Sequence, residues 1–407
     1  MKDTILSLIS QGLNSYYSSR DFPDSKKKVV PIESAKASMT FFNPNIFNNL
    51  RQNMGVSIET FRRSLCDKKL VSISNPGKSV AMFIRSNNGL YLLKTITAHE
   101  SKFLTNVSPK MMEHTGREKS FLTHIFDHFK IKFNGTSVRM IIMNNLLACY
   151  KYDQIYDLKG SMKGRKTKVP TKNISKTPVF KDKNFLEDHK SGLRIDKESL
   201  NRITSILESD YKFLRDNNVI DHSFLMALIN LESLNTGDNT RIVMPFQSSE
   251  KSKNNGDKPM VDELVVLEPK SGTPEEQIKT VYIPPGGFLV TGPGDASSTP
   301  SKCYIVYFQI IDILIEYKLV KKIESAVNAI NECFDRKKRS VVPPPRFYAR
   351  FMKFFARQIL LSTDSSKDSK WLSKNKDICS KFNSKCHTSL QPLYDLLPGE
   401  KKPDADK

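Results

Sequence analysis

Two aspartates stand in company that ionised carboxylates seldom keep. Asp221 lies within Ile220-Asp-His-Ser-Phe-Leu225, and Asp312 within Ile310-Ile-Asp-Ile-Leu314. A carboxylate among such apolar neighbours needs a metal ion or a hydrogen-bond network to satisfy it. Either aspartate alone also suits a helix N-cap. A third residue changes the reading. Lys94 ends the apolar run Leu90-Tyr-Leu-Leu-Lys94, downstream of a turn at Asn75-Pro-Gly77. A lysine placed on a strand behind a nucleotide-covering hairpin can neutralise the α- and β-phosphates. Alone it is an ordinary snorkelling side chain. With the two aspartates it makes a minimal set for phosphoryl transfer. One carboxylate lies near the attacking hydroxyl and the other holds Mg2+ against the phosphates.

Asp157-Leu-Lys-Gly-Ser161 adds a second lysine. Asp157 and Lys159, two apart on a strand, share one face. Lys163, Arg165, Lys166 and Lys168 follow, so the segment reads equally as an anion-binding loop and as a solvated basic loop. Other motifs fail on inspection. Gly77-Lys-Ser79 resembles the end of a Walker A loop, but Ser72 stands where that loop needs glycine. His124 and His128 are four apart on a predicted helix, yet Ile125 occupies the position of the zincin glutamate, which leaves a solvated helix face. Gly286-Gly287 and Gly292-Pro-Gly294 lack dinucleotide-binding spacing. Residues 319–334 put Leu319, Ile323, Val327, Ile330 and Phe334 on one stripe, followed by Arg336-Lys-Lys-Arg339. That pattern suits an anionic membrane surface, and also an ordinary core-facing helix.

The chain that must position these groups has 407 residues, 38% of them hydrophobic, enough for a sizeable core. Lys+Arg 64 against Asp+Glu 43 gives a net charge of +21, which predicts a polyanionic partner. The basic stretch 159–183 has no interleaved aromatics apart from Phe180, which argues against nucleic acid. The most apolar run, 304–315, is broken by Gln309 and Asp312 and falls short of the ~20 residues that span a bilayer. Six cysteines without a C-x-x-C pair give no zinc-ribbon signal and fit a reducing cytosol. No signal-peptide core, myristoylation glycine (Lys2 follows Met1) or prenylation box is present, so membrane attachment is expected through charge and amphipathic surface.

Spacing predicts a polar, weakly ordered leader over 1–40 with one helix, and helix over 41–66. Strands at 79–84 and 90–95 flank the hairpin signal Asn87-Asn-Gly89. Helix follows over 97–130, then strands at 138–143 and 152–159, a basic loop at 163–183 and helix over 199–215. Residues 232–300 gather most of the Gly, Pro, Ser and Asn clusters and read as an insertion, with strand candidates at 263–268 and 280–283. Core composition returns over 304–315, and 362–407 is a polar, basic tail.

Taken in order, the blocks Ile73-Ser-Asn-Pro-Gly77, Leu93-Lys-Thr95, Met143-Asn-Asn-Leu-Leu147, Tyr156-Asp-Leu-Lys-Gly-Ser161, Phe180-Lys-Asp182, Asp221 with Ser223 and Leu225, Ile310-Ile-Asp-Ile-Leu314, Lys321-Lys322, and Phe347-Tyr-Ala with Arg350-Phe351 resemble the phosphatidylinositol phosphate kinases, from about residue 41 to about residue 357. The resemblance implies an α+β, two-lobed lipid-kinase fold, distantly kinase-like, with antiparallel sheets and flanking helices. An N-terminal lobe would span 41–147. A C-terminal lobe would span 148–361, with the insertion 232–300 and a specificity loop at about 316–346. It implies ATP and Mg2+ as cofactors. Lys94 and Gly77 would contact ATP, and Met143, Asn144, Asn145 and Leu146 would form the hinge strand edge against adenine. Lys159 would sit near the transferred or substrate phosphate, with Arg165 helping to hold the inositol phosphate. Asp221 would be the catalytic aspartate and Asp312 the Mg2+ ligand. Lys321, Lys322 and Glu324 would read the lipid, and Glu324 matches the acidic residue of type I enzymes, which phosphorylate the 5-position of phosphatidylinositol 4-phosphate.

The implied partners are a phosphoinositide and an anionic membrane, with no nucleic acid, and a homodimer is allowed. The implied location is cytoplasmic, peripherally bound to the cytoplasmic face of a membrane such as the plasma membrane. Two alternatives stay open: a phosphatidylinositol 5-phosphate 4-kinase, and a catalytically weak phosphoinositide-binding scaffold. Val80 and His222 replace a usual glycine and a usual tyrosine of the family, and Glu100 is the candidate acidic partner of Lys94.

Overall fold

The computed structural model describes residues 2–73, 81–117, 119–148, 152–168, 177–230, 263–265, 280–282, 287–292, 302–317 and 342–362. The first half runs α1 (Lys2–Ser18), β1 (Lys27–Ile32), β2 (Ala37–Phe42), α2 (Pro44–Asn53), α3 (Ile58–Cys66), β3 (Val71–Ile73), β4 (Phe83–Arg85), β5 (Tyr91–Ile96), α4 (Ala98–Arg117), β6 (Ile125–Phe133) and β7 (Thr136–Asn144). Its seven strands form one antiparallel sheet in the order β1-β2-β6-β7-β5-β4-β3. Alternation along the strands divides the side chains between two faces. Phe129, Ile131, Met140, Ile142 and Leu93 pack with α1 and α3. Ile96, Ile125 and Ile141 pack with α2 and α4 on the other face, which is the face turned towards the rest of the molecule. Lys94 follows Leu93, pairs across from Ile141, and so lies on that second face.

The leader expected to be weakly ordered is instead part of this lobe. In α1, Ile9, Leu13, Tyr16 and Tyr17 are fully or almost fully buried, and β1 and β2 form the sheet edge. The polar average hides an amphipathic stripe, which gains its stability from the face it covers. Polar atoms secure the same contact. Tyr17 Oη donates to Asp127 Oδ2 at 3.0 Å, and Arg51 Nη1 donates to Asp127 Oδ2 at 2.9 Å and to the Phe126 carbonyl at 2.6 Å. Arg51 lies among the rings of Tyr17, Phe22 and Phe61, all within 5.5 Å of its guanidinium carbon. The helix expected over 97–130 also needs correcting. It ends at Arg117, and 125–133 is the strand β6, whose alternating sequence I-F-D-H-F-K-I-K-F fits that state. His128 is therefore buried inside the lobe, its Nε2 2.8 Å from Ser101 Oγ, and not on a solvated helix.

The second half runs β8 (Gln154–Leu158), β9 (Val179–Lys181), α5 (Asp182–Asp188), β10 (Leu193–Ile195), α6 (Lys197–Asp216), β11 (Ser223–Asn230), β12 (Glu263–Val265), β13 (Thr280–Tyr282), β14 (Phe288–Thr291), β15 (Cys303–Ile311), α7 (Pro344–Phe354), a π-helical turn (Phe355–Ile359) and β16 (Leu360–Ser362). A second seven-stranded sheet has the order β16-β10-β14-β15-β11-β8-β9, with parallel pairs at its two ends. β11 and β15 are buried along almost their whole length because both faces are covered, which is why they read as unbroken apolar runs. α6 and α7 cover one face through Leu207, Tyr211, Phe347 and Phe351. After β11 the described residues resume with β12 and β13, which fall within the expected insertion 232–300 and pair with each other. The insertion ends earlier than position 300, because β14 sits inside the core sheet between β10 and β15. The basic loop likewise ends before 183, in β9 and α5.

The lobes share a single apolar core that runs from Phe47 and Leu104 to Phe224 and Phe351. A short parallel bridge joins Leu122 to Ile310, with Thr123 N donating to the Ile310 carbonyl at 2.8 Å and Ile310 N to the Phe121 carbonyl at 2.6 Å. Asp210 of α6 holds the same connection, accepting from Phe121 N at 2.6 Å and Ser120 Oγ at 2.7 Å, with His114 Nε2 at 2.8 Å.

Candidate active site

Three adjacent strands deliver three of the expected residues to one place. Leu158 of β8 pairs with Phe224 of β11, which pairs with Ile310 of β15. Lys159 follows β8, Asp221 stands two residues before β11, and Asp312 follows β15, so all three leave the sheet at the same end. Asp221 (φ +60°) and Asp312 (φ +61°) both adopt the left-handed backbone conformation. Aspartate tolerates that region better than most side chains, because its short polar group bonds locally. The turn takes each residue out of its strand and aims its carboxylate away from the apolar core.

Each aspartate meets a lysine. Lys94 Nζ donates to Asp312 Oδ1 at 2.6 Å across the gap between the lobes, and the ammonium lies 5.7 Å from the centre of the Phe83 ring. Lys159 Nζ donates to Asp221 Oδ1 at 2.7 Å and to the Asp221 carbonyl at 2.6 Å. Glu100 is not the partner of Lys94. Its Oε2 accepts from Thr97 N at 2.7 Å while Thr97 Oγ1 accepts from Glu100 N at 3.1 Å, a reciprocal capping box that starts α4.

The expected hinge residues divide. Met143 and Asn144 belong to β7, which has β6 on one side and β5 on the other, so they are not at a strand edge. Met143 keeps a half-buried side chain against the inter-lobe core. Asn144 Oδ1 accepts from His124 N at 2.9 Å and Gln309 Nε2 at 2.6 Å, which makes it a lobe-joining residue. Asn145 is tied back to the β4–β5 hairpin, donating through N to the Leu90 carbonyl at 2.9 Å and through Nδ2 to the Gly89 carbonyl at 2.8 Å. Beyond the sheet, Leu146, Leu147 and Ile311 are partly buried against one apolar cluster that includes Leu225. An apolar surface of this kind suits a flat heteroaromatic ring.

Arg165 was expected to hold substrate phosphate. The structure gives it other work. It is 9% exposed, and its Nε donates to Asp182 Oδ2 at 2.7 Å while Nη2 donates to Asp157 Oδ1 at 2.7 Å and to the Asp157 carbonyl. The guanidinium is thus paired with a fully buried carboxylate, Asp182, and a partly exposed one, Asp157. Asp157 and Lys159 accordingly serve different partners. Lys321, Lys322, Glu324, Gly77 and Val80 lie outside the described residues.

Sequence reading gave no role to Asp182 or Arg350. Asp182, the first residue of α5 and fully buried, accepts through Oδ1 from Lys159 N at 3.0 Å and Ser161 N at 3.2 Å. Arg350 Nη2 donates to the Lys159 carbonyl at 3.2 Å, and its guanidinium carbon lies 4.9 Å from the centre of the Phe347 ring. Both residues stand in blocks that carry the family resemblance, Phe180-Lys-Asp182 and Arg350-Phe351, but their partners lie too far along the chain for the sequence to show. His222, between the rings of Tyr211 and Phe347, is buried with neither ring nitrogen hydrogen-bonded among the described residues. Burial, reinforced by the positive charges of Lys159 and Arg350, pulls it down to about 3, so it is neutral at physiological pH. Among the described residues no three His, Cys, Asp or Glu side chains converge as a metal cage. One carboxylate with room for phosphate oxygens and water is the donor set Mg2+ commonly takes in phosphoryl-transfer sites.

Comparison with known proteins agrees with this arrangement. The profile of the family described as phosphatidylinositol-4-phosphate 5-kinase matches residues 64–358. The phosphatidylinositol 4-phosphate 5-kinase type-1 beta of Rattus norvegicus is 26% identical over 336 residues, covering 81% of this chain and 59% of the relative. The type-1 alpha enzyme of Rattus norvegicus is 27% identical over 327 residues, covering 78% of this chain and 56% of the relative. Phosphatidylinositol 4-phosphate 5-kinase 6 of Arabidopsis thaliana is 27% identical over 360 residues, covering 83% and 48%. The chain thus spans about half to three fifths of the length of these relatives.

Proposed function

Because the chain belongs to the phosphatidylinositol-4-phosphate 5-kinase family, we propose that it transfers the γ-phosphoryl group of ATP to the inositol 5-hydroxyl of phosphatidylinositol 4-phosphate. The observation that carries this reading is the convergence of two lysine–aspartate pairs at one end of the C-terminal sheet, Lys94 with Asp312 and Lys159 with Asp221. The apolar cluster that gathers Leu146, Leu147, Leu225 and Ile311 is a surface suited to adenine. Lys94 would bind the ATP phosphates, and Asp312 would hold Mg2+, which would supply charge neutralisation of those phosphates. Asp221 orients the inositol hydroxyl and accepts its proton, and Lys159 holds charge on the transferred group. Bond making and breaking in line needs little covalent help, so positioning and charge stabilisation do the catalysis. Lys321, Lys322 and Glu324 are assigned to reading the lipid, with Glu324 favouring the 4-phosphate.

No helix among the described residues is long and apolar enough to cross a membrane. The excess of +21 supports docking on an anionic cytoplasmic leaflet, at about 1 kcal/mol per well-placed Lys or Arg. The test is turnover of radiolabelled ATP on vesicles offering phosphatidylinositol, its 4-phosphate and its 5-phosphate separately. The expected result is the 4,5-bisphosphate from the 4-phosphate, reduced ~100-fold or more by Asp221→Asn, which keeps the backbone conformation but removes the base. In the same assay Glu324→Ala moves preference towards the 5-phosphate. Product from the 5-phosphate alone would make the protein a 4-kinase. Vesicle binding without turnover of any lipid would make it a scaffold.

A further inference from the structure

Lys159 is held at every polar atom it owns. Its N–H donates to Asp182 Oδ1 at 3.0 Å, its carbonyl accepts from Arg350 Nη2 at 3.2 Å, and its ammonium donates to Asp221 Oδ1 at 2.7 Å. Yet it lies just past the end of β8, beside Gly160 at φ +64°, where the sheet ladder no longer fixes the backbone. The two backbone tethers are opposite charges that arrive from distant parts of the chain. Asp182 is oriented by Arg165, and Arg350 stands on α7 above the Phe347 ring. α7 also presses on the adjacent turn. A Cβ at Gly160 would sit 3.3 Å from Phe351 Cα and 3.3 Å from Phe354 Cβ.

We propose that Arg350 is a positioning residue of the active site, one arm of a two-sided clamp with Asp182 that fixes the Lys159 backbone so that its ammonium stays against Asp221. The inference rests on the phosphoryl-transfer reading for its kinetic consequence, although not for its structural one. A lysine with four rotatable bonds keeps a reproducible end point only where its backbone is fixed. Arg350 does this with a hydrogen bond to a main-chain carbonyl. It also leaves Arg165 to orient Asp182, so each basic residue of this cluster has a separate task.

The experiment uses the full chain with Arg350→Met and Arg350→Lys, three readouts, and a short-chain soluble phosphatidylinositol 4-phosphate as acceptor. The first readout is steady-state kinetics, the second the melting temperature. The third is acylation of lysines by an N-hydroxysuccinimide ester, located by mass spectrometry. For Arg350→Met we expect kcat to fall ~10- to 100-fold with KM for ATP within about twofold, as for a reacting group displaced by about 1 Å. Acylation of Lys159 should rise severalfold while Lys94, paired to Asp312, stays at its wild-type level and the melting temperature moves little. Arg350→Lys, which keeps one donor and the charge, should recover part of both losses and serves as the test if the methionine protein does not fold. Unchanged acylation of Lys159 in a folded variant overturns the clamp, and so does a rise at Lys94 as large as that at Lys159, which would be general loosening. A wild-type protein without kinase activity whose Lys159 still responds to Arg350 would overturn the functional reading and leave the clamp standing. An active wild type indifferent to Arg350→Met in both kcat and acylation would do the reverse.

Discussion

Acidification should unfold this protein through histidines that the fold keeps neutral, and His222 offers a way to measure one share of the effect. Burial holds His128 and His222 down to about 3 and His189 to about 4, against 6.5 for an ordinary histidine. The sign follows from linkage. Below 6.5 the unfolded chain binds a proton at each of these residues and the folded chain does not, so stability is complete above 6.5 and drains away as pH falls towards the folded values. At about pH 5 the gap is about 1.5 units, which at about 1.4 kcal/mol per unit gives about 2 kcal/mol for each histidine. Three of them amount to about 6 kcal/mol, comparable with the whole stability of a typical domain. Asp127 and Asp210 act the other way, because burial raises them and the folded state gains protons first. Their contribution is common to wild type and a His222→Phe variant and cancels in the difference. That variant also removes two buried nitrogens without hydrogen-bond partners among the described residues. It should therefore be at least as stable as wild type at about pH 7.5, because burying such atoms carries a penalty. It should lose about 2 kcal/mol less than wild type on going to about pH 5. Urea unfolding followed by far-ultraviolet circular dichroism at the two pH values measures both numbers. Equal losses in the two proteins would refute the reasoning, since His222 would then be charged in the fold or solvated.

Two further changes probe parts of the fold that the chemistry depends on. Gly160→Ala should lower stability by about 1–2 kcal/mol for the left-handed backbone alone, and lower lipid turnover further by pushing Lys159 off α7; thermal melts alongside the kinase assay check both, and wild-type behaviour in each would remove the close contact from the argument. Arg51→Ala should cost about 3–5 kcal/mol by leaving Asp127 buried without its cation, whereas Arg51→Met combined with Asp127→Leu should restore much of it; denaturant unfolding of the two proteins tests this, and a loss below about 1 kcal/mol in the single variant would refute it.

The sequence made the chemistry easier to read than the frame around it. Asp221 and Asp312 were visible because charge among apolar neighbours is a local anomaly, and the Asn87-Asn88-Gly89 turn because glycine is needed there, at φ +82° for Gly89. The α1 helix and the edge strands were obscured by the polar average of the first forty residues. Their burial depends on partners far along the chain, such as Phe41 with Phe129. β6 was absorbed into the preceding helix because Phe121, Ile125 and Phe129 also fall at helical spacing, as do His124 and His128, read as a solvated helix face. The partners of Arg165 were hidden for a related reason. A basic residue in a basic loop reads as solvated or ligand-binding until tertiary structure brings Asp157 and Asp182 to it.

The place where the chain returns to the second sheet, at β14, also bears on engineering. The chain leaves the sheet after Asn230 and re-enters at Phe288, while the end of β11 beside Asp221 begins at Ser223. Seven residues of strand separate Asn230 from Ser223, about 24 Å at the usual rise. Lengthening a closed excursion is inexpensive, about 0.6 kcal/mol for each doubling. A fluorescent reporter or a recruitment tag spliced in directly after Asn230 would enter at that distance from the Lys159–Asp221 pair, with the β11 ladder between them.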